Sequence, residues 1–86
     1  MEREEQLQIV AARLRRIRQF FGRTQKAFAE SIGIDFETYV NYERGRFIPK
    51  APTLKQIEAA TGYSADYILG ESEYFGGNAP EKGVQD

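Results

Sequence analysis

Glycines at positions 22, 33, 45, 62 and 70 cut the first seventy residues into short lengths, and inside each length apolar side chains recur every three or four positions. Leu7, Val10, Leu14, Ile17 and Phe21 make the first such stripe, with Arg13, Arg15 and Arg16 off it. Ala27, Phe28, Ala29 and Ile32 make the second, and Tyr39 with Tyr42 the third. Leu54, Ile57 and Ala60 follow, then Tyr67, Ile68 and Leu69. That period places apolar groups on one side of an α-helix. A helix with one greasy side is stable only against another. The spacing therefore predicts five short helices, no strand and no solenoid repeat. Thr24, Asp35 and Ser64 precede three of the stripes and are expected to accept the free N–H groups of the helices that follow.

The chain has 86 residues and no cysteine. One small domain is expected, held by its core without disulfides or thiolate metal sites. No apolar run approaches the ~20 residues of a membrane span, and the opening MEREEQLQ lacks the apolar centre of a signal peptide. A cytoplasmic location is expected, with no membrane partner. Histidine is also absent. The commonest general base, nucleophile and metal ligands are thus missing, and no phosphate-cradling glycine loop replaces them. An enzyme is not expected, nor any cofactor or small-molecule substrate.

The formal charge of −1 conceals an uneven distribution. Residues 1–12 set Arg3 against Glu2, Glu4 and Glu5, and residues 56–86 set Lys82 against six acids. Residues 13–55 set ten bases against four acids, which leaves +6. An electrostatic footprint confined to the middle of the chain fits an anionic partner there.

The middle also carries an ordered series: Thr24-Gln25, Phe28-Ala29, Gly33-Ile34-Asp35, Tyr39, Tyr42-Glu43, Gly45 and Pro49. In that order these residues resemble the helix-turn-helix of the phage-repressor-like family, also called the Xre or Cro/C1 type. The resemblance runs from about Ala12 to Gly70 and takes in TLKQIEAATGYSADYILG. It implies an all-α, compact five-helix bundle of the lambda-repressor-like DNA-binding type. The domain would occupy residues 1–70, with helix two at about 25–32 and a recognition helix at about 36–44. Residues 71–86, rich in Gly, Asn, Pro and charge, read as a flexible tail or a means of self-association. Tyr74 and Phe75 stand out there as groups able to dock on the body or on a partner.

The resemblance also implies roles. Phe36, Glu37, Val40 and Asn41 match base-facing positions; Gln25, Lys26, Arg44, Arg46 and Lys50 match positions that meet the DNA backbone. Arg18 and Glu43 match a buried ion pair between helices one and three. Tyr39 and Tyr42 are expected to point inward and fix how the third helix projects. An acid at the front of such a helix is unusual. Glu can nevertheless accept from the cytosine amino group, Asn can pair with adenine, and Phe or Val can pack on a thymine methyl.

The implied function is sequence-specific regulation of transcription on double-stranded DNA, by a homodimer on a palindromic operator. Tyr67, Ile68, the tail aromatics, or Leu7 with Ile9 are candidate dimer surfaces. The alternative is a protein-interaction module on the same scaffold, an antitoxin-like or phage-regulatory adaptor. The aromatic-acidic pair Phe36 and Glu37 and a pI near 5.5 support it. Arg13, Arg15 and Arg16 read as a solvated face.

Overall fold

A computed structural model describes residues 1–80. Five helices follow one another: α1 Arg3–Phe20, α2 Gln25–Ser31, α3 Phe36–Glu43, α4 Ala51–Thr61 and α5 Ala65–Ile68. Strands are absent among the described residues.

Local chemistry sets most of the boundaries. Glu4 and Glu5 lie in the first turn of α1 and Arg18 in its last, the charge order that the helix dipole favours. The Thr24 hydroxyl accepts from Ala27 N–H at 3.1 Å. The Asp35 carboxylate accepts from Thr38 N–H at 3.2 Å, and the Ser64 hydroxyl from Tyr67 N–H at 3.0 Å. Helix α4 begins two residues before the expected Thr53. Pro52 sits in its first turn, where a missing N–H leaves no hydrogen bond unmade.

The core gathers Val10, Leu14 and Ile17 of α1 with Phe28, Ala29, Tyr39, Ile57 and Ile68, all essentially inaccessible to solvent. Ala60, expected to continue the α4 stripe, is exposed. Two aromatic groups organise the interior. Phe21, Phe28 and Tyr39 form a row with centroids 6.3 and 5.4 Å apart. Tyr63, Tyr67 and Phe75 form a triangle with sides of 5.9, 5.7 and 4.8 Å. Such ring pairs add about 0.5–1.5 kcal/mol each beyond their area burial.

Phe75 belongs to the segment read as a tail and docks on the body, one of the two destinations open to it, and the residues beside it pack there as well. Residues 71–79 fold back over α5 and the end of α4. Phe75 and Ala79 are 7% and 4% exposed, and the Phe75 carbonyl accepts from Ser64 N–H at 2.7 Å. Gly62, with φ 84°, lies so close to this segment that a Cβ there would stand 2.2 Å from the Asn78 carbonyl oxygen. The packed body therefore extends about nine residues past Gly70. Residues 81–86, the remainder of the expected tail, lie outside the described residues.

The same segment accounts for two more corrections. Tyr67 and Ile68 are 4% and 0% exposed, so the inner side of α5 is spent on the protein's own core and is not a dimer surface. The arginine cluster of α1 is not simply solvated. Arg13 donates to the carbonyls of Tyr67 and Ser72 at 2.6 and 2.8 Å and to Glu73 at 2.9 Å. Its guanidinium stacks 4.3 Å over the Tyr67 ring. Arg16 lies over Phe75, and Arg15 donates to the Glu43 carbonyl at 3.1 Å. Arginine stems lie readily along apolar surface while their heads hydrogen-bond.

Candidate nucleic-acid interface

Helices α2 and α3 are joined by four residues, 32–35. Ile34 N–H donates to the Ala29 carbonyl at 2.9 Å, and the Ile34 side chain packs on the core. Gln56 reaches across from α4 and donates to the carbonyls of Ile32 and Gly33 at 2.8 and 2.7 Å. The turn is thus held from outside as well as within. No local pattern marks Gln56 for that task, because its partners lie more than twenty residues away.

Helix α3 has a sharply divided surface. Tyr39, Tyr42 and Glu43 are buried. Phe36 is 47% exposed, Glu37 is exposed, and Val40 and Asn41 are half-buried. The four residues expected to face bases therefore lie off the buried side. Arg44, Arg46 and Lys50, which follow α3, are exposed, as is Lys26 in α2. Arg46 donates to the Asn41 side-chain carbonyl at 3.3 Å, which leaves the Asn41 NH₂ group turned away from that contact.

What holds α3 against the body is a polar cluster around Glu43. Arg18 donates through Nε to Oε2 at 2.7 Å and through Nη2 to Oε1 at 3.1 Å, a two-pronged pairing that fixes direction as well as distance. The Tyr39 hydroxyl donates to Oε2 in a short hydrogen bond. Gln25 Nε2 donates to Oε1 at 3.0 Å. Burial alone pushes the Glu43 carboxyl up, but the donors Arg18, Tyr39 and Gln25 outweigh it and hold the group below the usual carboxylate range. The hydrogen bond to Glu43 raises Arg18, against the opposing effect of burial. Burial, and then the bond to Glu43, raises the Tyr39 hydroxyl, which stays protonated. The carboxylate is ionised and its charge is met.

This arrangement alters the picture of Gln25. Its amide is not simply aimed at solvent from the start of α2; it is half-buried and tied to Glu43. A phosphate approaching α2 would meet a side chain already oriented by the α1–α3 ion pair.

Two further residues sit beside this surface. Phe47, in the loop after α3, is 52% exposed. Together with Arg3, Thr38, Tyr42 and Lys50 it lines a cavity of about 300 Å³. Arg3 stands in sequence among the acids of the N-terminus, and the fold brings it to the edge of the basic loop instead. Charge totals by segment could not reveal that, because they follow the chain and not space.

The chain matches the model of a helix-turn-helix family over residues 14–68. It is similar to the HTH-type transcriptional regulator ImmR of Bacillus subtilis (strain 168), at 39% identity over 61 residues. That alignment covers 71% of this chain and 48% of the relative, so the chain spans about half the length of the curated protein it matches. No solved structure matches. The capped α2, the pinned turn and the divided α3 lie within the matched residues, and the chain belongs to the phage-repressor-like, Xre or Cro/C1-type, helix-turn-helix family.

Proposed function

We propose that the protein is a sequence-specific DNA-binding regulator of transcription that inserts α3 into the major groove. The observation that carries this reading is the divided α3. A buried ion pair and two buried tyrosines hold one side, while Phe36, Glu37, Val40 and Asn41 remain on the rest beside the exposed Arg44, Arg46 and Lys50. A helix fixed in that way can enter a groove about 12 Å wide and present its first turns to base edges. Backbone affinity comes from Gln25, Lys26, Arg44, Arg46 and Lys50, which also offset the repulsion between Glu37 and phosphate. Sequence preference comes from the α3 side chains. Two copies on a two-fold operator, with half-sites one helical turn apart, would double a contact area too small for tight binding by one copy.

The family membership and the likeness to a transcriptional regulator of Bacillus subtilis support DNA as the partner. The test is selection of duplexes from a random pool, followed by fluorescence anisotropy over a range of salt. Four cations meeting phosphate give a slope of log K on log salt near −4 per copy, at about −0.9 per neutralised phosphate. A salt-independent affinity, or no duplex bound at low salt, refutes the reading. The exposed aromatic-acidic pair Phe36 and Glu37 then favours a basic protein partner on the same helix.

A further inference from the structure

The close of α3 ties one of its base-facing side chains to a residue beyond the helix. Gly45, with φ 75°, reverses the chain. Its N–H donates to the Tyr42 carbonyl at 3.1 Å, and Arg46 N–H donates to the Asn41 carbonyl at 3.0 Å. This paired closure follows from a left-handed glycine just past a helix, and it returns the next residue to the last turn. The backbone thereby holds Arg46 beside Asn41. The side chains complete the contact, Arg46 Nη1 donating to Asn41 Oδ1 at 3.3 Å. With the amide reversed, its NH₂ would face the guanidinium, and both groups only donate. The chemistry therefore fixes which way the amide points.

That orientation decides what Asn41 can read. An asparagine pairs with adenine by donating to N7 and accepting from the N6 amino group. With Arg46 on Oδ1, the adenine amino group would share that oxygen with a cation and stand donor against donor. Guanine shows two acceptors on the same edge, N7 and O6, to which the Asn41 NH₂ and the guanidinium can both donate. We propose, resting on the major-groove reading of α3, that Arg46 is a specificity-determining residue: it orients Asn41 as a donor, so that Asn41 reads guanine and rejects adenine. Arg46 works through Asn41 as a positioning residue, and its other N–H groups can still meet a phosphate.

Glu37 extends the same code. It is exposed one turn earlier on α3, at the spacing that makes two helical side chains neighbours. As a carboxylate it only accepts, which suits the cytosine amino group. An acceptor beside a donor along one helix matches the two edges of G·C pairs and mismatches A·T.

The test is selection from a random duplex pool with the full chain as wild type, Asn41→Ala and Arg46→Met. Anisotropy then follows on the selected duplex, with one base pair varied at a time. The pair read by Asn41 is the one whose preference Asn41→Ala abolishes. Wild type should favour guanine over adenine there by at least about fivefold, the lower bound for a wrong base in a good contact. Arg46→Met should weaken binding to every duplex by loss of a cation, and at that one pair should turn the preference to adenine. Preference is a ratio within one sample, so a variant of lower stability still reports it. Adenine favoured by wild type at that pair, an even loss in Arg46→Met with guanine still favoured, or no position altered by Asn41→Ala overturns the proposal and leaves DNA reading by α3 standing. A wild type that enriches no sequence refutes both.

Discussion

Replacing Glu43 with Ala isolates the device that fixes α3. The substitution removes the acceptor of three side chains at once: Arg18, Tyr39 and Gln25. The Arg18 side chain is 17% exposed and the Glu43 side chain 3%, so the guanidinium that remains has little access to water. Stranding one member of a buried pair costs about 3–5 kcal/mol. Arg18 keeps one partner, the Arg23 carbonyl at 3.0 Å, which places the expected loss at about 3 kcal/mol. A domain of this size has a total stability of roughly 4–13 kcal/mol at about 0.05–0.15 kcal/mol per residue. The loss is therefore a large fraction of the whole, equivalent to about 12–24 °C in melting temperature. Urea and thermal unfolding followed by circular dichroism measure it. The matching variant is Arg18→Met, Tyr39→Phe and Glu43→Leu together, which removes every charge and hydroxyl of the cluster. Replacing a buried ionic set by apolar groups is often neutral or stabilising, so the triple variant should regain most of the stability that the single one loses. If Glu43→Ala melts within about 1 kcal/mol of wild type, the cluster does not hold α3 and the functional argument loses its anchor.

Glu37→Gln should raise affinity for random duplex about threefold, the size of one exposed charge effect of ~0.5–1 kcal/mol, and change the preferred sequence; anisotropy and a repeated selection read both, and no change in either refutes the assignment. Glu43 is held below the ordinary carboxylate value of about 4.3, so its contribution is present above that value and is lost as pH falls through the lowered folded one. Tyr39 is shifted the other way, so its contribution is complete below about pH 10 and is lost as pH rises toward the folded value. Melting temperature against pH should therefore fall more steeply on the acid side for wild type than for Glu43→Gln, and parallel curves would contradict the geometry. Gly62→Ala would set a Cβ 2.2 Å from the Asn78 carbonyl, whereas a Cβ at Gly22 meets nothing within 4 Å. Both pay about 1–2 kcal/mol for a left-handed backbone. Gly62→Ala also loosens the burial of Phe75, worth about 1.5–3 kcal/mol, and should melt about 6–24 °C below Gly22→Ala; equal melting points would mean that residues 71–79 do not pack there.

The parts of this molecule that could be read from sequence are those decided by near neighbours. Thr24, Asp35 and Ser64 cap because their oxygens reach N–H groups three residues on. Tyr39 and Tyr42 share a helix side because three residues make nearly a turn. The link between Arg18 and Glu43 spans 25 positions, and family resemblance indicated it where spacing could not. The destination of Arg13 had no such guide. Periodicity places it off the core stripe, and only the return of residues 71–79 supplies the carbonyls it binds. Composition misread that return, because glycine, asparagine and proline predict weak local structure. Burial of Phe75 depends instead on Tyr63 and Tyr67 standing ready to receive it. Gln25 shows the same limit: its place at a helix start is local, but its amide turns inward because Glu43 waits there.

The fold-back of residues 71–79 bears on how the molecule can be cut or joined to others. Punctuation by glycine invites a boundary at Gly70, yet severing the chain there would uncover two tyrosine rings and take two acceptors from Arg13. A fragment ending at Gly70 would carry an unsealed apolar face and stick to its neighbours, so any fusion or truncation has to keep Phe75 and Ala79 in place.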